Sequence, residues 1–273
     1  MIKSIGRLNL DDYKLIDSQV EKIFVCLSKD RIEEATGLIT EMANTQNYFV
    51  REELGKRLAA YEGPGAMKEV CAKLLDDHIY GIRATALFYY YYSNIDNPEV
   101  LLHILGKTAE TVRWESEHII ESLWKSHPEL MKQEVPKWVL SPSAKKRAMS
   151  MHGLEKVALD SPQFVLMHLE RLLDEEDAEV QEKFVKTLIQ VARHRPQHAY
   201  MNVYRWLRHG TEDRARLLWD ALKVLVSIVA RREREDQSND FWNVTRRAVD
   251  DWRKDSSPLV SQMGNRLQQL LQP

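Results

Sequence analysis

The sequence predicts an all-helical protein made of helical hairpins stacked one on the next into a curved array. Three observations carry this. Apolar residues recur at three- and four-residue spacing from about Leu15 onward, and no run alternates with a period of two. Gly and Pro are scarce, ten and nine among 273 residues, while Leu, Ala, Glu, Lys and Arg abound. A short motif, an aliphatic or β-branched residue ahead of a cation, returns about every 30–35 residues.

Taken in order, residues 1–14 read as a lead-in or capping turn, with Asp11 or Asp12 as a helix start. A first helix follows over Asp17 to Ser28, and helices then come in pairs. The shorter members are Arg31 to Asn44, Pro64 to Leu75, Pro98 to Thr108, Pro128 to Val139, Pro162 to Leu173 and Gln197 to Arg208. Proline suits the first helical position because its missing N–H would be unpaired there in any case. Asn97, Ser161 and His127 stand just ahead of three of these segments as caps.

The second members open with FVREELGKRL, GIRATALFYY, TVRWESEHII, AKKRAMSMHG, EVQEKFVKTL and RARLLWDALK. Aligning Arg51, Arg83, Arg113, Arg147, Gln181 and Arg216 gives separations of 32, 30, 34, 34 and 35 residues. The run Arg231 to Asp240 breaks this period and reads as a loop; a last pair, Phe241 to Trp252 and Pro258 to Leu271, closes the array. A chain of this length fits two ordinary domains or one continuous repeat structure, and the periodicity favours a single domain over 1–273 with six or seven hairpins.

Composition excludes several classes. A formal net charge of −2 argues against a generally electropositive nucleic-acid binder, so any polyanion site must be a local basic stripe. Cys26 and Cys71 are the only cysteines and both sit in apolar helical patterns, which disfavours a disulfide framework and fits a reducing, cytoplasmic setting. No segment has the roughly 20 uninterrupted apolar residues of a membrane span, and the first residues lack a signal-like apolar core; no membrane association is expected. No phosphate-binding glycine loop, nucleophile elbow, CxxC pair or metal-ligand motif occurs, so neither metal nor cofactor is expected.

The opening motif resembles HEAT repeats, in which a Val-Arg pair begins the second helix of each hairpin. That resemblance implies a right-handed superhelix with the second helices along the concave side. Arg51, Arg83, Arg113, Lys145, Lys146, Arg147, Lys183, Lys186 and Arg216 are then candidates to face one groove and track a phosphate backbone. The competing account is that such arginines stitch one repeat to the next through carboxylates. Lys145, Lys146 and Arg147 have no neighbouring acid in sequence and fit either anion binding or a solvated helix start. The aromatic run Phe88 to Tyr92 admits base stacking or packing between repeats, and packing is the simpler fate. Trp124, Trp138, Trp206, Trp219 and Trp242 read as core.

The stretch Thr111 to Arg147 carries a closer likeness. Arg113-Trp114-Glu115-Ser116-Glu117-His118, the turn His127 to Leu130, Pro136 to Trp138 and Arg147 resemble the middle repeats of the AlkD-like DNA alkylation repair proteins of bacteria. More weakly, the likeness runs from Asn47 to Trp206. It implies a DNA partner held in the concave groove, Trp114 as one of the family's cleft tryptophans and Arg147 as its phosphate-contacting arginine. In active members a carboxylate stabilises the oxocarbenium-like sugar while a cationic alkylpurine leaves. His118 stands where that family has its catalytic Asp, Arg113 replaces the first Trp and Gln190 a further one. A glycosylase activity is therefore expected to be lost or altered, with Glu115, Glu117 and His118 the remaining candidates. Trp114 lies within one turn of Glu115 and His118, so the three are expected on a common helix face. The alternative is a noncatalytic, monomeric scaffold that holds a protein partner on the concave face.

Overall fold

The computed structural model describes residues 5–63, 65–232 and 241–271, and among these there is no strand. No described helix is long and apolar enough to cross a membrane. Two compact units divide the chain, 1–128 and 129–273.

The first unit holds α1 (Leu10–Ser28), α2 (Ile32–Ala43), α3 (Tyr48–Ala59), α4 (Ala66–Leu74), α5 (Tyr80–Ser93), α6 (Pro98–Thr108) and α7 (Arg113–Ser126). The expected lead-in is shorter than read. Asn9 caps α1: its side chain accepts from Asp11 N–H and Asp12 N–H, and the Asp12 carboxylate accepts from Asn9 N–H. The apolar stripe hid this first turn because it is solvent-exposed, Leu10 included. Here α3 packs on α1 and α5, and α5 in turn on α7, while α2 lies against α4. This gives a layer of second helices backed by the first helices. The Pro64 start assigned from sequence lies outside the described residues; α4 follows Gly65, whose positive φ suits glycine.

Close approach of α3 to α5 is set by Gly55. A Cβ there would stand 2.5 Å from Phe88 Cβ and 2.8 Å from the Thr85 carbonyl oxygen. The aromatic run is largely core: Phe88, Tyr89, Tyr90 and Tyr91 are buried and only Tyr92 reaches the edge.

The second unit holds most of α8 (Pro128–Trp138), then α9 (Ala144–Ser150), α10 (Leu154–Val157), α11 (Pro162–Glu170), α12 (Ala178–His194), α13 (Pro196–Arg208), α14 (Glu212–Arg232), α15 (Phe241–Trp252) and α16 (Pro258–Leu271). Again the second helices form a layer, α9 on α12, α12 on α14 and α14 on α16, with α11, α13 and α15 stacked behind. The helix opened by AKKRAMS stops after about two turns, and Gly153 in the left-handed region turns the chain into α10. Asn97 and Ser161 occupy the cap positions but make no side-chain cap bond, and His127 both ends α7 and stands directly ahead of Pro128, the first residue of α8. Of the expected loop 231–240, Arg231 and Arg232 belong to α14 and the rest lies outside the described residues. Trp124, Trp138 and Trp206 are buried. Trp219 is half-buried, with the Arg266 guanidinium 3.8 Å over its ring.

Inside the second unit His168 is buried and its Nε2 pairs with Ser150 Oγ at 2.9 Å. Burial, with a smaller contribution from Arg171, pushes its imidazole down from 6.5 to about 4. Unfolded, the ring takes up a proton near its ordinary value, whereas the folded ring stays neutral until about pH 4. Stability is thus fully present above about pH 6.5 and is lost as pH falls toward 4, by roughly 2–3 kcal/mol over that window. Urea midpoints of the second unit's transition at pH 7 and pH 5 should show this drop, and a His168→Gln variant should lack that component of it. An unchanged pH dependence in the variant would contradict the assignment.

Candidate functional site

A cation or amide four residues after a helix cap recurs, and its chemistry is shared. Arg51 follows Asn47, Arg83 follows Ile79, Arg147 follows Ser143 and Gln181 follows Asp177. Each donates to the carbonyl six residues before it, those of Thr45 (3.1 Å), Asp77 (2.6 Å), Ser141 (2.9 Å) and Glu175 (2.6 Å). The side chain at this station folds back over the loop that enters its helix, whose carbonyls would otherwise lack donors. The arginines also reach forward. Arg83 donates to the Thr111 carbonyl, and Arg147 forms a bidentate pair with Glu175, through Nε at 2.5 Å and Nη2 at 2.9 Å; both partners are 28 residues on. That pairing holds the Glu175 carboxyl below the usual carboxylate range.

Arg113 and Arg216 do not share the station. Arg113 is the first residue of α7 and pairs with Glu117 on its own helix at 3.2 Å, and Arg216 is exposed beside Asp213. The thirty-residue spacing aligned them in sequence, but the cap of α7 falls at Val112, three residues too late for Arg113 to be equivalent. Lys145 is exposed, while Lys146 and Lys183 are half-buried.

Glu115 is 0% exposed. Arg51 donates to its Oε1 through Nη2 at 2.6 Å and Nε at 3.0 Å, and Tyr80 donates to its Oε2 at 2.6 Å. The Arg51 guanidinium also lies over the Tyr48 and Tyr80 rings, at 6.0 and 5.7 Å from their centroids. Such a carboxylate is fully engaged and has no open side for a substrate. The expectation of a common face for Trp114, Glu115 and His118 fails here: Glu115 points inward, whereas Trp114 is 72% exposed.

His118 is 46% exposed. Three rings surround it edgewise, Tyr48, Phe88 and Tyr91, each with its centroid 6.2 Å away. Its Nε2 stands 4.0 Å from Glu52 Oε1, and Glu52 accepts a hydrogen bond from Tyr92 Oη at 3.0 Å. Burial first and the Glu52 charge second push the Tyr48 and Tyr92 phenols well above their ordinary range, so both stay protonated. Glu52 is 24% exposed and is the carboxylate the sequence did not single out. No motif marks it, since it sits on α3, sixty-six residues ahead of its partner. Its only signal is its place one residue after the station arginine, where a helix turns from core toward edge.

Removing Arg51 tests how the face is held. Arg51→Ala leaves the Glu115 charge buried and unpaired, for an expected loss of about 3–5 kcal/mol in urea unfolding of the first unit. The double variant Arg51→Met/Glu115→Leu should lose far less, because no charge is stranded. Equal losses in the two would show that packing, not charge pairing, dominates. Across known proteins, no family model matches the chain and no curated protein does either.

Proposed function

We propose that the protein is a DNA alkylation repair-like HEAT-repeat protein of the cytoplasm, its hairpins stacked in a right-handed superhelical sense, and that it binds damaged or structured DNA. The observation that carries this reading is the face where α3, α5 and α7 bring Glu52, Tyr92 and His118 together beneath an aromatic border, with Trp114 exposed one helical turn earlier on α7. Exposed aromatic rings stack on unpaired bases. A partly open carboxylate beside them suits a sugar or base that carries positive charge. On the second unit Lys145 and Lys146 open α9 and are the phosphate contacts of this reading; Arg147 is engaged with Glu175 and supports the fold instead. Base release is expected to be slow or absent, since His118 occupies the position of the family's Asp and Glu115 is sequestered.

The test is retention of a short duplex carrying alkylated purines, measured against salt. Wild type should bind, with affinity falling as salt rises. Trp114→Ala should weaken binding by about tenfold, and Lys145→Ala/Lys146→Ala should lower the salt slope by about 2. Absence of retention at low salt, or variants that match wild type, would overturn it.

A second reading is favoured by a specific observation. The station arginines are committed internally, Arg51 to Glu115 and Arg147 to Glu175, so they form no phosphate ladder. A noncatalytic scaffold that takes a protein partner on the same face needs no such ladder. It predicts no DNA retention at moderate salt and a stoichiometric partner lost in Trp114→Ala.

A further inference from the structure

We propose that Glu52 is the anchor of a small organic-cation site on the α3–α5–α7 face, and that protonated His118 is its built-in competitor. This rests on reading that face as the ligand-binding one and concerns how the site is regulated.

A carboxylate bordered by aromatic rings selects cations. The charge attracts, and the electron-rich ring faces replace water around a cation too large to be tightly hydrated. Glu52 has this setting: Tyr92 donates to its Oε1, and the half-buried Tyr48 and Tyr92 rings border it, backed by the buried Phe88 and Tyr91 rings. Among the described residues no hydrogen bond is made to its Oε2. Arg51, the nearest guanidinium in sequence, is turned away onto Glu115 and neutralised there. The Glu52 charge is therefore not cancelled by its neighbour.

The imidazole of His118 stands beside the Glu52 carboxylate, half-exposed, with its Nε2 4.0 Å from the Oε1 that Tyr92 also reaches. Protonated, it is itself a cation inside the ring cluster and pairs with Glu52; neutral, it leaves the carboxylate to the ligand. The groups facing it are few. Tyr48 and Glu52 approach from α3 and the Tyr91 and Tyr92 phenols from α5, with Tyr91 Oη engaged by Ser122 Oγ at 2.7 Å. On α7 itself Glu117 and Glu121 flank it in sequence, and Glu117 is held by Arg113. Apart from His118, none of these supplies a proton-dependent positive charge.

N-Methylpyridinium is the probe, because it is planar, permanently charged and does not titrate; toluene is its neutral counterpart. Calorimetric titration of the full chain should show binding at pH 8 that weakens about tenfold or more by pH 5. Glu52→Gln should abolish binding at every pH. His118→Asn should keep the pH 8 affinity and lose the pH dependence, with circular dichroism and a thermal melt showing that both variants fold. No binding by wild type at pH 8, toluene binding as tightly, or a pH dependence surviving in His118→Asn would each overturn the proposal. DNA retention is measured separately, so loss of the DNA reading with cation binding intact is distinguishable from loss of the site.

Discussion

The first unit depends on a charge placed where charges are costly. Glu115 is wholly buried, and an unpaired carboxylate in that position would cost several kcal/mol. It is tolerable because Arg51 and Tyr80 bring three donors to its two oxygens. Those donors come from α3 and α5, and the acceptor comes from α7. The cluster is satisfied only with all three helices in place, which ties α7 to its neighbours. That same arrangement sets His118, one turn further along α7, beside Glu52, one residue after Arg51.

The recurrence of this device explains a feature of the sequence that invites another interpretation. A cation every thirty-odd residues along stacked hairpins looks like a ladder for phosphates. In the molecule the station four residues past the cap ties its own entering loop through a carbonyl, and in Arg83 and Arg147 it also reaches the loop 28 residues on. Hairpins that cannot bury an apolar face alone need such stitching, and a planar guanidinium with five donors serves two loops at once. Gln181 shows that the backward bond is the essential part, since an amide makes it without charge. Charge spent inside the array is not available outside it.

What remains outside is aromatic and mildly acidic on the first unit. Gly55 lets α3 and α5 approach closely, which packs Phe88 beneath Tyr48 and leaves Tyr92 at the rim, bonded to Glu52. Burial keeps the Tyr48 and Tyr92 phenols protonated, and Tyr92 donates to that carboxylate. The face thus offers rings, one carboxylate and one imidazole, a combination suited to a cationic or stacked ligand more than to a bare phosphate chain.

The helical class and the pairing of helices were legible from the three- and four-residue apolar spacing, and α6, α15 and α16 begin and end where that spacing places them. Proline and asparagine marked helix starts because their effects are local to a turn. Alignment of the arginines was legible only in part: spacing located Arg51, Arg83 and Arg147, but Arg113 fell out of register because its helix begins later than the repeat implies. Which carboxylate faces the edge was not legible at all. Glu115 and Glu117 stood beside His118 in sequence, yet 100 degrees of rotation per residue and the pull of Arg51 turned Glu115 into the core. Glu52 came to His118 from a different helix. Periodicity along one chain fixes which elements form and where they stop, because those depend on neighbours within a turn. The pairing of polar groups across α3, α5 and α7 depends on packing between residues 35 to 64 positions apart, and only the folded molecule decides it.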